Sequence, residues 1–202
     1  SDEVARAARE AGAECLMTDP GHPSGTDRVA EIARRPEFAS YDVIVNVQGD
    51  EPFLPAEATR GAIGLVAGGA FPLGTAAVPA PPGVLDAAEV VKVVRGDDGR
   101  ALYFSRAGIP FLRDGSDRSA RDAIILQHLG VYAYTREALA RWVALPPHPL
   151  ERVERLEQLR PLAAGMAMGV AVLDDAAPRG IDTEDDLRFA NEQWTTLMSG
   201  RA

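Results

Sequence analysis

Behind Ser1-Asp2-Glu3, the apolar positions Val4, Ala7, Ala8 and Ala11 recur every three or four residues, and Gly12 follows. A small hydroxyl residue, acids in the first turn and a closing glycine predict a helix up to about residue 11. Residues 13–17 read as a short strand, and residues 26–33 as a second helix. Val43-Ile44-Val45-Asn46-Val47 is β-branched and almost unbroken, the pattern of a central parallel strand covered on both faces. Helix is predicted over 55–67, and strands over 73–78, 90–95, 101–104, 129–134 and 168–173. Further helices are predicted over 135–144, 150–161 and 183–197. Strands alternating with helices imply an α/β, Rossmann-like fold, a mostly parallel sheet flanked by helices.

Composition narrows the partners more than the fold. At 202 residues and 46% apolar content the chain suits one domain, or one domain with a small lobe, with a buried core. A net charge of −9 without a Lys/Arg run excludes a nucleic-acid surface. An acidic protein that handles anions must gather positive charge locally, from a few Arg side chains, backbone N–H groups or a metal cation. The lone cysteine, Cys15, next to Leu16 and Met17, reads as a buried strand thiol in a protein of the reducing cytoplasm. The uncharged stretch 61–85 holds six glycines and four prolines, so it reads as strand and loop and not as a membrane span.

Four segments carry candidate chemistry. Gln48-Gly49-Asp50-Glu51-Pro52 follows the Val-rich strand, so Asp50 stands at a strand's C-terminal end, where open α/β sheets bind ligands. It suits a hard cation such as Mg²⁺, or it caps the next helix. In Gly180-Ile181-Asp182-Thr183-Glu184-Asp185-Asp186-Leu187, Asp182 or Thr183 fits a helix cap, and Asp182 also fits as a second carboxylate for the same ion. His22-Pro23-Ser24-Gly25-Thr26-Asp27-Arg28 fits an anion- or base-binding turn ahead of a helix, or a plain Thr26 cap. His22 is too isolated for a metal ligand. Ser105-Arg106, Gln127-His128 and Glu157-Gln158, the last pair within the 150–161 helix, place polar groups among apolar neighbours. Each fits a binding pocket or an ordinary salt bridge.

These stretches, with Val91-Lys92-Val93-Val94, Ala101-Leu102-Tyr103-Phe104 and Leu129-Gly130-Val131-Tyr132, resemble the 3-deoxy-manno-octulosonate cytidylyltransferase family in order and spacing along essentially the whole chain. The resemblance implies a nucleotide-diphospho-sugar-transferase-like α/β fold. It implies transfer of CMP from CTP to the sugar acid Kdo, giving CMP-Kdo and pyrophosphate for lipopolysaccharide biosynthesis. By the same resemblance Asp50 and Asp182 hold Mg²⁺, and Gln48, Arg106, His128, Tyr132, Glu157 and Gln158 line the sugar-acid pocket. Ser24, Gly25, Thr26 and Arg28 lie near the nucleotide. A homodimer is implied, with a sugar-binding and dimerisation lobe over about 100–160. Family members open with a strand and a basic glycine-containing loop, which implies a βα unit of roughly 30–50 residues ahead of Ser1. The competing readings are a cytidylyltransferase for another sugar acid, 8-amino-Kdo or a nonulosonic acid, and a non-catalytic nucleotide-binding relative.

Overall fold

A computed structural model describes residues 1–174, 180, 181 and 183–199. Ser1 caps α1 (Asp2–Glu10), its hydroxyl accepting from Val4 N–H. The cap of α2 (Gly25–Ala33) is Ser24 and not Thr26, because the Ser24 hydroxyl accepts from Asp27 N–H while Thr26 turns inward and is fully buried. No strand forms over 13–17. Leu16 and Met17 are exposed, the half-buried Cys15 lies in irregular backbone, and the Met17 carbonyl is engaged by the Arg35 guanidinium in place of a ladder.

Among the described residues six strands form one sheet: β1 (Val43–Val47), β2 (Leu73–Pro79), β3 (Lys92–Arg95), β4 (Ala101–Ser105), β5 (Leu126–Thr135) and β6 (Met168–Val172). β5 is the axis of the sheet. It runs antiparallel to β1, β2 and β3, while β2 and β6 pair in parallel and β3 and β4 pair antiparallel. β1, β2, β3 and β6 therefore share one direction, but the long return strand between them makes most ladders antiparallel. β1 is not the central parallel strand its Val-rich pattern suggests. It is half-buried beside β5, its one ladder partner among the described residues.

Alternation along β5 feeds two cores. Tyr132 and Tyr134 face one side, where Trp142 of α5 (Arg136–Ala144), Leu159 of α7 (Leu159–Ala163), Phe104 and Ala30 pack with them. Leu129, Val131 and Ala133 face the other, against Ala58, Ala62 and Val66 of α3 (Ala56–Ala67). Among the described residues no helix is long and apolar enough to cross a membrane.

The helix predicted over 150–161 is broken in two. α6 (Pro149–Glu154) ends at Arg155, whose φ of 56° and ψ of 44° lie in the left-handed region, and α7 resumes at Leu159. A side chain pays to enter that region. Here the turn swings Leu156, Glu157 and Gln158 out of helical register towards the sheet. The short helix α4 (Arg118–Asp122) lies ahead of β5, and α8 (Glu184–Ser199) closes the described chain.

Candidate active site

β1 and β3 meet the same edge of β5 one after the other. Val47 ends its ladder opposite Val131, and Lys92 begins its ladder opposite Gln127. Between them, among the described residues, single backbone bonds bridge the edge, Gln48 N–H to the Gly130 carbonyl and His128 N–H to the Val91 carbonyl. A cleft of about 700 Å³ opens there. The turn after β1 supplies Gln48, Asp50 and Glu51, the turn before β3 supplies Glu89 to Val91, and the helix break supplies Arg155 to Gln158. This is how residues more than a hundred positions apart come to share one wall. Gly130 sits at the crossing. A Cβ there would lie 2.9 Å from Glu51 Cγ and 3.2 Å from Gln48 Cγ, so only glycine lets both side chains cross β5.

Of the sequence-predicted residues, Gln48, Asp50, Arg106, His128, Tyr132, Glu157, Gln158 and Gly25 line the cleft. Ser24, Thr26 and Arg28 do not. Ser24 serves as a cap, and the Thr26 hydroxyl donates to Glu157 Oε1 at 2.9 Å, so it orients a cleft residue from behind. Arg28 turns to Thr18 Oγ1 and the Asp19 carbonyl, away from the cleft. His22 pairs with Glu31 at 2.7 Å. Asp50 does not cap α3, whose N-cap is Pro55. Its backbone carbonyl accepts from Ile181 N–H at 2.8 Å, which ties the turn after β1 to the chain that leads into α8. Thr183 and Asp186 form a reciprocal cap there, Asp186 N–H to Thr183 Oγ1 and Thr183 N–H to Asp186 Oδ2. Asp182 itself lies outside the described residues.

Glu157, His128 and Tyr132 in the cleft have shifted acidity. Burial pushes the Glu157 carboxyl above its ordinary range, against the pull of the Thr26 and Ser24 hydroxyls and the Arg160 charge. Its Oε2 is buried and has no hydrogen-bond partner among the described residues. Burial holds His128 down to about 3, so the imidazole is neutral near pH 7 although the residue lines the cleft. Burial also raises the Tyr132 phenol well above its usual value. Of the two guanidinium groups that line the cleft, Arg106 is held by backbone carbonyls. Its Nε donates to the Glu154 carbonyl and its Nη1 to the Ala88 carbonyl, while its own N–H donates to the Glu154 carboxylate. Nη2 has no protein hydrogen bond among the described residues, so part of the fork remains for a ligand.

The described wall carries five carboxylates (Asp50, Glu51, Glu89, Glu157 and Asp186) against two guanidinium groups, Arg106 and Arg155. An anionic ligand entering such a cleft needs further positive charge, and the available oxygens are hard donors. No group of three His, Cys, Asp or Glu side chains converges as a complete metal cage among the described residues. The donor set thus fits a cation that takes one or two protein carboxylates and completes its shell with substrate oxygens.

The cytidylyltransferase family pattern matches residues 1–168. A protein of Gemmatimonas aurantiaca named 3-deoxy-manno-octulosonate cytidylyltransferase is 57% identical over 200 residues, covering 99% of this chain and 77% of that protein. The chain belongs to this family. A Burkholderia ambifaria relative, 3-deoxy-manno-octulosonate cytidylyltransferase 2, is 46% identical over 181 residues, covering 87% of this chain and 67% of its own length. The solved structure of CMP:2-keto-3-deoxy-manno-octonic acid synthetase in complex with CTP superposes with a TM-score of 0.84 at 31% identity, covering 97% of this chain and 78% of that one. The inositol-1-phosphate CTP transferase of T. maritima, at a TM-score of 0.61 and 14% identity, shares the fold alone.

Sequence reading missed several cytidylyltransferase residues of this cleft. Glu51, Glu89, Arg155, Thr183 and Asp186 line it, and Thr75, Lys92 and Glu154 brace it from behind. Lys92 alone carried a signal, a cation set inside the apolar run Val91-Lys92-Val93-Val94.

Proposed function

We propose that the chain transfers CMP from CTP to Kdo and releases pyrophosphate. The reading is carried by the convergence of Gln48, Arg106, His128, Tyr132, Glu157 and Gln158 on one cleft, in a chain 57% identical to a relative of that name. The sugar's anomeric oxygen attacks the α-phosphorus, an O–P bond forms as the bond to the β-phosphate breaks, and the hydroxyl proton passes to solvent. The protein's task is to position and neutralise. Arg106 offers its unused Nη2 to the sugar-acid carboxylate. The orphaned Glu157 Oε2 accepts a sugar hydroxyl, which satisfies an oxygen that is otherwise buried without a partner. Gln48 and Gln158 supply amide donors and acceptors beside them.

Asp50, with Asp182, would hold a divalent cation, Mg²⁺ by the hardness of the donors. When bound, that ion supplies the charge neutralisation that two anionic substrates lack in this acidic cleft. The homodimer belongs to the same proposal.

Incubating the chain with CTP and a panel of sugar acids, Kdo, 8-amino-Kdo and a nonulosonic acid, while following pyrophosphate release tests the proposal. Kdo is expected to give the highest kcat/KM. Preference for another acid overturns the substrate, and CTP binding without turnover overturns the reaction. Arg106→Ala is expected to raise the KM for the sugar acid about 10–100-fold, as for loss of a charge-assisted bond, and to leave the KM for CTP within about threefold. Equal shifts in both would place Arg106 elsewhere.

A further inference from the structure

We propose that Thr75 fixes the tautomer of His128, holding the proton on Nε2 so that Nδ1 meets the bound sugar acid as a hydrogen-bond acceptor. The proposal rests on the reading that His128 lines the sugar-acid site. Thr75 lies in β2 and is fully buried. The β2–β5 ladder slips beside it. Thr75 pairs with Tyr132 but Ala76 pairs with Leu129, so Gly130 and Val131 form an extra loop of β5. That bulge turns the Val131 carbonyl to the Thr75 hydroxyl, which donates to it at 2.7 Å. A hydroxyl has one proton, and this one is spent. The 2.9 Å contact between Thr75 Oγ1 and His128 Nε2 must then be donated by the ring.

Both alternatives are disfavoured. The Nδ1–H tautomer would need the Thr75 proton to turn to Nε2 and abandon the buried 2.7 Å bond. The doubly protonated ring would place a cation edge-on to Phe104 and beside Tyr132, ring centroids 5.1 and 5.4 Å away, where burial already holds the ring neutral. With Nε2 donating to Thr75, Nδ1 is left as a bare acceptor nitrogen, without a hydrogen-bond partner among the described residues, on a residue that lines the cleft. A neutral acceptor there selects a hydroxyl donor on the ligand and does not attract its carboxylate, which falls to Arg106. Thr75 is thus a positioning residue that divides the two roles.

Long-range ¹H–¹⁵N correlation of the three histidines, with His128 assigned by its loss in His128→Gln, reads the tautomer directly. Wild type and Thr75→Ser are expected to show the Nε2–H pattern, and Thr75→Val a mixture of tautomers with about a tenfold higher KM for the sugar acid. The KM for CTP is expected to stay within about twofold in every variant. A predominantly Nδ1–H or doubly protonated ring in the wild type overturns the proposal without any enzyme assay. The expected tautomers with an unmoved sugar-acid KM in Thr75→Val would leave the proton assignment standing and overturn the placing of His128 against the sugar.

Discussion

Asp50→Asn is expected to lower turnover at least about a hundredfold, near 2.7 kcal/mol of transition-state stabilisation, with the urea midpoint little changed. The two halves of that expectation have separate grounds. Stability should hold because the Asp50 side chain is exposed and its structural bond, the carbonyl accepting from Ile181 N–H, is a backbone bond that asparagine keeps. Among the described residues no hydrogen bond engages its carboxylate. Turnover should fall because two anionic substrates meet in a cleft that already carries five carboxylates. Unit charges of like sign at ~4 Å repel by about 4 kcal/mol at an effective dielectric of 20. Asparagine preserves shape and removes the charge that would anchor a cation against that repulsion. Steady-state kcat at saturating CTP and sugar acid, with urea melts alongside, separates the two. Wild-type turnover in Asp50→Asn would remove the residue from the chemistry. A collapsed midpoint would make any loss uninformative, and Asp50→Ser, shorter and also uncharged, would then repeat the measurement.

The sequence made the acidic turn legible because a β-branched run ending in Gly-Asp-Glu-Pro leaves a carboxylate nowhere to go but the end of a strand. It could not show which way β5 runs. An apolar alternating strand looks the same in a parallel or antiparallel ladder, and only the neighbours on each edge decide. The break at Arg155 was hidden for a related reason. From Val153 to Leu159 nothing but helix-compatible residues appears, with no glycine or proline, and the left-handed arginine is exposed itself while Leu156, Gln158 and Leu159 just after it are buried. Yet that break carries Glu157 and Gln158 into the cleft. Residues 13–17 failed in the opposite direction, since a strand-like run remains irregular without a ladder partner. Thr75 was invisible because its meaning depends on a ladder slip between two strands fifty residues apart.

Lys92→Met is expected to destabilise the fold by about 2–4 kcal/mol and to weaken sugar-acid binding through Arg106. The Lys92 side chain has no exposed surface, and its ammonium donates to the carbonyls of Ala87, Val90 and Arg106. It therefore staples the turn ahead of β3 to the residue that follows β4, the same two segments that present Glu89 and Arg106 to the cleft. Methionine fills nearly the same volume without a donor. Three carbonyls lose a charged donor, each bond worth roughly 1.5–3 kcal/mol, while relief of the ammonium's desolvation offsets part of the loss. A urea midpoint shift of about 1–2 M at unchanged slope is the expected reading.

The alkaline limb supplies an independent check. Desolvation lowers the Lys92 pKa below its ordinary 10.5, partly opposed by the Glu89 charge. Between that lowered value and 10.5 the unfolded chain binds more protons than the folded one, so this lysine's contribution to stability rises with pH across the window. Tyr103, Tyr132 and Tyr134, whose phenols are all raised, act in the opposite sense above pH 10 in both proteins and cancel in the difference. The stability gap between wild type and Lys92→Met should therefore widen towards pH 10. A gap that is flat with pH, or a methionine variant as stable as the wild type, would mean that apolar packing at this position replaces the staple. Arg106 would then owe its placement to Glu154 and the Ala88 carbonyl.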